Sequence, residues 1–516
     1  MRRSADLLRL ADTVLLPGFL GTAAPDWVRR RVAGGLGGVV LFSRNVATLD
    51  QLAGLTAVLR ADNPGLLVGI DEEAGDVTRL EARTGSSRPG NYALGVVDDE
   101  ELTERVAADV GRDLRTAGIT LDFAPAADVN SNPGNPVIGL RSFGADPALV
   151  ARHTAAWVRG LQSAGVAACA KHFPGHGDTA VDSHHGVPRL TASRERLAEV
   201  ELPPFLAAVR AGVRAIMTGH LLVPAYDGER PATLSPRILT GLLRTELGFE
   251  GLVVTDGIEM AAVSGAYGLG EASARAVAAG ADAVCVGGEN ADEATADLIR
   301  DAIADAVAGG LLPEERLAEA AGRVRAFAST PAPIPPTVAG ADGIGLVAAR
   351  RAVRVTWRDG AAGPAGAAGA DRVTGTAGLA GALPLAAAPH VVELAPETNL
   401  AIDRGTPWGA GDALTALMPG TTVLRLREQD VRDGLPERAL GGAAGRPLVI
   451  VVRDAHRHPW QIDLLERMLA ARPDGIVVEM GLPGRTDLGA AHIATHGAAR
   501  VCGQAAAEIL TGLRVP

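Results

Sequence analysis

Residues Leu252–Gly257 read LVVTDG, and three other runs have the same character: GGVVLF at Gly37–Phe42, LLVGID at Leu66–Asp71 and DAVCVG at Asp282–Gly287. Each run stays apolar over several successive residues instead of alternating with polar ones. A strand buried on both faces of a parallel sheet requires that pattern. With four further runs, the predicted strands are Thr13–Pro17, Gly38–Phe42, Leu66–Ile70, Thr120–Ala124, Ala167–Lys171, Ala215–Thr218, Leu252–Thr255 and Ala283–Val286.

Segments of helical character separate these strands; they include Glu100–Ala117, Pro147–Ala164, Leu197–Ala211 and Gly270–Ala279. Eight strand–helix units within about 300 residues predict a (β/α)8 TIM barrel, which we assign to residues 1–328. An open doubly wound sheet is the alternative, but it usually has fewer strands and leaves open edges.

A proline-rich stretch at 329–343 divides the chain. Its four prolines disfavour a helix and favour an extended linker. Residues 344–516 then predict a smaller α/β sandwich domain. Its parts are a helix at Ile344–Trp357, a Gly/Ala-rich stretch of doubtful order at Arg358–Gly381, a β-α-β unit (Pro447–Val452, Trp460–Ala471, Gly475–Met480) and a last helix at Ala498–Thr511.

Charge and cysteine content narrow the class of protein. The net charge of −11 offers no basic patch for nucleic acid or for an anionic membrane. Three cysteines, Cys169, Cys285 and Cys502, lie too far apart to predict a disulfide framework or a zinc site. Charged residues interrupt the apolar part of the first twelve residues, and no run of 18 apolar residues occurs. We expect a cytoplasmic protein with no membrane span.

Polar residues gather where the predicted strands end, which is where barrels place their chemistry. They are Asp71, Glu72, Glu73 and Arg79 after strand three; Asp128, Asn130 and Arg141 after strand four, in a loop that also holds Phe143; Lys171, His172, Asp182, Ser183, His184 and His185 around strand five; His220 after strand six; and Asp256 after strand seven. Any one of them could be a structural ion pair. Burying so many charges is costly unless they pair with each other or with a polar ligand, so their convergence predicts an enzyme.

The densest group is KHFPGHGDTAVDSHH at Lys171–His185. Asp182 and His184 are two residues apart, so in an extended loop their side chains project to the same side. A carboxylate that orients an imidazole suits a general acid/base. The histidines could instead suggest a metal, but their spacing fits no common zinc pattern and Lys171 would repel a cation. We therefore expect no metal and no cofactor.

Asp256 follows the buried run LVVT and is the candidate nucleophile. It could also cap the next helix, a common role for aspartate. Glu259, three residues later, is placed as in a capping box, so both readings stay open at this stage.

These residues resemble glycoside hydrolase family 3, and within it the two-domain NagZ-type β-N-acetylglucosaminidases. The motifs are LPGF near Leu16, GGVVLFSRNV, IDEEAGDVTRL, LDFAPAADVN, IGLRSFG, AKHFPGHGDTAVDSH and VVTDGIEM, in that order through the predicted barrel. The match at KHFPGHGDT…DSH is highly specific.

The resemblance implies a retaining β-N-acetylhexosaminidase that works by double displacement. It implies that Asp256 is the nucleophile, that His184 is the acid/base and that Asp182 is the partner of His184. It further implies sugar-binding roles for Asp71, Arg79, Arg141, Lys171 and His172. The expected partner is a small GlcNAc-containing glycoside, such as a peptidoglycan or muropeptide fragment.

One segment departs from the family pattern. Where the family usually reads D-Q-E-G-G-R-V, this chain has DEEAGDV at Asp71–Val77. Glu72 replaces a glutamine and Asp76 replaces an arginine. Both changes predict a more negative rim around the sugar site.

Three alternatives stay open. A phosphorylase could use the same residues, because a histidine that is neutral when it acts as base does not repel phosphate as a carboxylate would. A β-glucosidase or β-xylosidase would share the barrel, although such members lack the DSH motif. A non-catalytic sugar-binding protein would share it too, but Asp256 and His184 are both present.

Overall fold

The computed structural model describes residues 4–183, 186–288, 290–329, 343–357, 383–431 and 439–513. The chain forms two compact units. The first comprises Met1–Glu73, Val77–Leu80 and Asp98–Ala341, and the second comprises Ala74–Asp76, Glu81–Val97 and Asp342–Pro516. Two short segments from within the predicted barrel region therefore belong to the second unit. The predicted linker lies mostly outside the described residues.

The first unit is a barrel of eight parallel strands. They are β1 Leu15–Pro17, β2 Gly38–Leu41, β3 Leu67–Ile70, β4 Leu121–Asp122, β5 Ala167–Phe173, β6 Ala215–Thr218, β7 Leu252–Thr255 and β8 Val284–Val286. Parallel ladders join β2 through β7 in chain order, and a bridge from Val254 to Ala283 links β7 to β8. β1 pairs with β8 and packs against β2, so the ring closes. The eight predicted strands are confirmed.

Helices alternate with the strands. In chain order they are α1 Ala5–Thr13, α2 Asp26–Ala33, α3 Leu49–Asp62, α4 Asn91–Val97, α5 Glu100–Thr116, α6 Pro147–Ser163, α7 Arg194–Val200, α8 Leu202–Arg210, a π-helix at Arg237–Glu246, α9 Ala261–Ala279, α10 Glu293–Ala308 and α11 Glu314–Ser329. All belong to the first unit except α4.

Two helix predictions need correction. The segment predicted as one helix at Leu197–Ala211 is two helices, α7 and α8, which meet at Glu201. Pro203 and Pro204 lack the N–H groups that would continue α7, so a new helix starts there. The helix predicted from Gly270 starts earlier, at Ala261, and it is kinked at Gly268, whose φ of 70° only glycine adopts readily.

The barrel interior is filled by side chains from alternate positions of the strands. They include Leu16, Val40, Leu67, Phe123, Cys169, Met217, Val254 and Cys285. Gly69 leaves the space that the Phe123 ring occupies, since a Cβ at Gly69 would lie 2.9 Å from that ring. Because the interior is closely packed, a functional site is expected at the rim formed by the carboxyl ends of the strands.

The second unit is a three-layer α/β sandwich around one sheet. Its strands are β9 Arg354–Trp357, β10 His390–Leu394, β11 Thr422–Leu426, β12 Leu448–Val452, β13 Ile476–Glu479 and β14 Ala491–Ala494. Their order is β11-β10-β12-β13-β14-β9, and only β9 is antiparallel to its neighbour. The helices α12 Ile344–Ala352, α13 Gly411–Leu417 and α15 Arg500–Thr511 cover one face, and α14 Pro459–Ala471 covers the other.

The helix predicted at Ile344–Trp357 is wrong in its second half. It ends at Ala352, and Arg354–Trp357 form β9 along the edge of the sheet, against β14. Val355, Thr356 and Trp357 favour a strand once a partner strand is available. The Gly/Ala-rich stretch before β10 lies outside the described residues.

Within the described part of the chain, no helix combines the length and the apolar character needed to cross a membrane.

Gly160 tests how tightly the barrel helices pack. A Cβ at Gly160 in α6 would lie 2.1 Å from the Glu104 carbonyl oxygen of α5. We expect Gly160→Ala to lower the free energy of unfolding by about 1–3 kcal/mol, because the helices must move apart. Gly54→Ala in α3 is the control, since a Cβ there meets nothing within 4 Å. It should be neutral or stabilising by up to about 1 kcal/mol through helix propensity. Thermal unfolding of both variants measures the contrast, and equal shifts would contradict the packing argument.

Candidate active site

A buried lysine is the centre of the site. Lys171, near the end of β5, is 1% exposed, and its ammonium lies 2.5 Å from Asp71 Oδ1 and 2.7 Å from Glu73 Oε1. Arg141 donates to both oxygens of Glu73, from Nε at 2.9 Å and from Nη2 at 2.7 Å. Arg79 Nη2 lies 3.9 Å from Asp71 Oδ2. Two buried cations are thus balanced by carboxylates that follow β3.

The charges in this cluster stabilise each other. Burial alone would raise the pKa of Glu73, but the charges of Arg141 and Lys171 outweigh burial and hold that pKa well below its usual range. Burial would lower the pKa of Lys171, yet Asp71 and Glu73 raise it above its ordinary value. Glu73, Arg141 and Lys171 are therefore charged near neutral pH. They form a fixed set of donors and acceptors for a polar ligand.

A second network orients His172. Asp128 is fully buried; its Oδ2 lies 2.8 Å from His172 Nδ1, and its Oδ1 accepts the backbone N–H groups of His172 and His176. Arg141 Nη2 lies 3.4 Å from His172 Nε2. This geometry favours the tautomer with the proton on Nδ1, because Nε2 then faces a donor. His172 and Arg141 are held side by side.

His176 lies in the loop that follows β5, and it is not one of the predicted catalytic residues. Its Nδ1 lies 2.8 Å from Thr179 Oγ1, and its Nε2 lies 3.4 Å from Ser183 Oγ. Burial lowers its pKa to about 4. His176 is therefore mostly neutral near pH 7, and both of its ring nitrogens lie near hydroxyl groups. Asn135 donates to the backbone oxygens of His176 and Gly177, which fastens this loop to the one after β4.

Asp256 stands directly after β7 with a partly exposed side chain. Its Oδ1 accepts the N–H of Gly257 at 2.8 Å, and its backbone N–H donates to the Thr218 oxygen at the end of β6. His220 steadies the same turn, with Nε2 2.9 Å from the Gly257 oxygen and Nδ1 2.8 Å from Thr233 Oγ1. The position of the Asp256 carboxylate is thus fixed by contacts at the ends of β6 and β7.

The helix-capping alternative for Asp256 is not supported. Helix α9 begins at Ala261 with Met260 as its N-cap, four residues beyond Asp256. Glu259 is not part of a capping box either. Its Oε1 accepts the N–H groups of Gly287 and Gly288 in the turn after β8. Both carboxylates therefore accept backbone N–H groups in the turns at the carboxyl ends of the barrel strands.

Asp182 is 8% exposed and lies on the loop after β5. The next residue, Ser183, accepts the backbone N–H of Ala262 at the start of α9 at 3.3 Å. His184 and His185 lie outside the described residues, so the predicted pairing of Asp182 with His184 stays a prediction. Among the residues that are described, no three His, Cys, Asp or Glu side chains are grouped as metal ligands.

The two departures at Glu72 and Asp76 do not leave bare charges at the rim, contrary to the expectation. Glu72 is 4% exposed, and its Oε2 accepts from Thr78 Oγ1 and from the N–H groups of Arg79 and Leu80. It shapes the loop that carries Arg79. Asp76 forms an ion pair with Arg453 at 2.7 Å.

Three buried acids beneath this rim are absent from the predicted set of site residues. Glu73 and Asp128 were visible as polar residues after strands, but their partners Lys171, Arg141 and His172 are distant in sequence. The third, Asp122 at the end of β4, accepts from the Glu72 N–H, and its Oδ2 has no hydrogen-bond partner among the described residues. Burial raises the pKa of Asp122 well above its usual value, with the charge of Glu72 adding to the effect. A buried acid with a raised pKa thus lies under a charged site.

With this geometry in place, comparison with known proteins decides the family. The sequence model of the Glycosyl hydrolase family 3 N terminal domain matches residues 25–327. The chain belongs to glycosyl hydrolase family 3. That match covers the strands, from β2 onward, that carry Asp71, Lys171 and Asp256.

Individual relatives agree. A solved structure of a family 3 beta-N-acetylglucosaminidase from Paenibacillus sp. str. FPU-7 is 34% identical with a TM-score of 0.81, covering 99% of this chain and 97% of that one. Beta-hexosaminidase A of Pseudoalteromonas piscicida is 36% identical over 313 residues, which are 56% of this chain but 52% of that protein's length. Beta-hexosaminidase LpqI of Mycobacterium tuberculosis is 39% identical over 254 residues, 48% of this chain and 65% of that protein.

Glu201, where α7 meets α8, is a further buried acid next to the loop after β5. It is 2% exposed, and its Oε2 has no hydrogen-bond partner among the described residues. A Cβ at Gly175, where φ is 130°, would lie 2.3 Å from that oxygen. Burial, reinforced by the charges of Asp128 and Asp178, raises the pKa of Glu201 to about 8.

Glu201 therefore makes stability depend on pH. The folded chain holds its proton more tightly than the unfolded chain, where the pKa is near the usual 4.5. This contribution to stability is fully present below pH 4.5 and is lost as the pH rises through about 8. We expect Glu201→Gln, which cannot ionise, to gain in melting temperature relative to wild type between pH 5 and pH 8.5. Other groups titrate in both proteins and cancel in the difference; a difference that is constant with pH would refute the assignment.

Proposed function

We propose that the protein is a retaining β-N-acetylhexosaminidase that removes terminal β-linked GlcNAc by double displacement. The observation that carries the proposal is the fixed polar cluster around Lys171, at the same end of the barrel as Asp256. Family membership and the near full-length likeness to the Paenibacillus β-N-acetylglucosaminidase support it. A covalent mechanism needs both a nucleophile and a rigid sugar site.

In the first step the Asp256 carboxylate attacks the anomeric carbon. The bond from that carbon to the leaving oxygen breaks, and protonated His184 gives its proton to that oxygen. The products are a glycosyl ester of Asp256 and neutral His184. In the second step His184 takes a proton from water, the water oxygen attacks the anomeric carbon, and the Asp256 carboxylate departs. Two inversions retain the anomeric configuration.

Asp182 is proposed to orient His184 and to favour its protonated form. His176, on the same loop, fits the acid/base role less well than His184. Its ring nitrogens contact Thr179 and Ser183, and burial lowers its pKa to about 4. The acid/base is thus assigned to the DSH sequence by its match to the family motif.

The sugar is proposed to be held by Asp71, Arg79, Arg141, Lys171 and His172. Because the Lys171 ammonium and the Arg141 guanidinium are paired and buried, they need little reorganisation when hydroxyl groups or the N-acetyl group arrive. Charge-assisted hydrogen bonds reject sugars with the wrong hydroxyl pattern more strongly than apolar contacts do. The proposed substrates are GlcNAc-containing glycosides, including muropeptide fragments, and the proposed location is the cytoplasm.

The first test is hydrolysis of 4-nitrophenyl β-N-acetylglucosaminide. We expect wild type to release nitrophenol and Asp256→Ala to lose at least about 10⁴-fold in kcat, since no other group can form the ester. Added azide should restore release in Asp256→Ala and yield the α-glycosyl azide, because a small anion can occupy the vacated space. Asp50→Asn, which alters an exposed carboxylate of α3, is the control with unchanged activity. Full activity in Asp256→Ala would refute the nucleophile.

Phosphate distinguishes the hydrolase from the phosphorylase in the same assay. Release that is unaffected by phosphate, with free GlcNAc as the product, supports the hydrolase. Acceleration by phosphate with GlcNAc 1-phosphate as the product would replace it with the phosphorylase. No release from any aryl glycoside, together with a rise in melting temperature on adding GlcNAc, would favour the sugar-binding protein.

The role of His184 predicts a dependence on the leaving group. His184→Ala should lower kcat/KM severely for a GlcNAc disaccharide, whose leaving alcohol needs a proton, and far less for the nitrophenyl glycoside. His185→Ala is the matched control and should affect both substrates little. Equal losses on both substrates in His184→Ala would contradict the role as proton donor.

A further inference from the structure

Asp76, the residue that departs from the family pattern, is held by a buried arginine from the C-terminal half of the chain. Its Oδ2 accepts from Arg453 Nη2 at 2.7 Å, and its Oδ1 accepts the Ala498 N–H at 3.2 Å. The exposed fractions of the two charged side chains are 7% and 6%. Both residues belong to the second unit. With little water to screen them, the charges attract strongly, and removing either one leaves the other uncompensated.

Arg453 is held in place by contacts other than its ion pair with Asp76. Its backbone N–H and carbonyl oxygen both bond to the side-chain amide of Gln461, which is fully buried. The Trp408 ring centre lies 5.8 Å from its guanidinium carbon. Arg453 is therefore a rigid anchor, and Asp76 is the residue whose position the pair determines.

The anchored residue sits inside the loop that supplies the sugar-binding groups. Asp76 is three residues after Glu73 and three residues before Arg79. The turn is tight: Ala74 and Gly75 have φ values of 58° and 59°, and the Glu73 N–H donates to the Val77 oxygen at 2.9 Å. Asp76 therefore lies in a short closed turn that is flanked by Glu73 on one side and by Arg79 on the other.

We propose that the Asp76–Arg453 ion pair is a positioning element that sets the geometry of Asp71 and Arg79, which bind the sugar in this scheme, and of Glu73, which pairs with Lys171 and Arg141. The proposal rests on the function proposed above. Asp76 and Arg453 do not touch the sugar in this scheme; they act through the turn.

Glu81 provides an internal comparison on the other side of Arg79. It lies 3.6 Å from Arg500 and 3.6 Å from Arg88, and it accepts the Ser87 N–H at 2.8 Å. Arg500 is 46% exposed, so its pairing with Glu81 is long and screened by water. The Glu81–Arg500 pair is therefore the weaker of the two and serves as a matched control.

The test compares two neutralised pairs in the full-length protein. Asp76→Asn with Arg453→Gln should lower kcat/KM for 4-nitrophenyl β-N-acetylglucosaminide about 10- to 100-fold, mostly through KM, since misplaced sugar contacts weaken binding before and during the reaction alike. Glu81→Gln with Arg500→Gln should change KM less than threefold. The rise in melting temperature caused by GlcNAc should shrink only in the first variant.

Specific outcomes would overturn the proposal. A folded Asp76→Asn/Arg453→Gln protein with a lowered melting temperature but unchanged KM would show that the pair only stabilises the fold. If that variant does not fold, the swap Asp76→Arg/Arg453→Asp tests the proposal instead, because it keeps opposite charges at the two positions. A KM near the wild-type value supports the proposal, and a folded swap protein with a tenfold higher KM refutes it. Wild type without turnover or GlcNAc-induced stabilisation would instead refute the proposed function.

Discussion

The structure of the site depends on keeping one ammonium group buried and charged. Lys171 lies at the end of β5 with almost no access to water, so its charge is stable only if carboxylates surround it. Glu73 and Asp71 supply them, and Arg141 shares Glu73. Asp71 and Glu73 follow β3, Arg141 lies in the loop after β4, and Lys171 is in β5. The need to compensate Lys171 therefore fixes the loops after β3 and β4 relative to β5, and the geometry of the proposed sugar site depends on these contacts.

Buried acids in this protein fall into two groups. Glu73 and Asp128 face cations or several N–H donors, and their pKa values are lowered although burial opposes it. Asp122 and Glu201 each retain an oxygen without a described hydrogen-bond partner, and burial raises their pKa values. The acids whose pKa values are lowered thus face cations or N–H donors, whereas those whose pKa values are raised lack a full set of such partners among the described residues. The arrangement limits repulsion among many carboxyl groups in one small volume.

Much of the barrel was predictable because a parallel strand buried on both faces has a local signature. The ends of β6 and β7 were predicted to the residue, and the motifs after them held the candidate site. Elements that form only against a neighbouring strand were harder to predict from the sequence. Segment Arg354–Trp357 continued a helical pattern and became a strand only because β14 offers an edge. The break at Glu201 follows from Pro203 and Pro204, which are visible in the sequence although the predicted helix ran through them.

By itself, the sequence determined the barrel class, the order of the strands and the place of Asp256, Lys171 and His172 at strand ends, with Arg141 in the loop after β4. Apolar runs and the residues that follow them are local properties of the chain. Only the tertiary structure decided which charges compensate each other. It placed Glu73 between Lys171 and Arg141, buried Asp128 against His172, and joined Asp76 to Arg453 across 377 residues. Such pairings depend on burial and on distances between remote segments, and no local pattern encodes them.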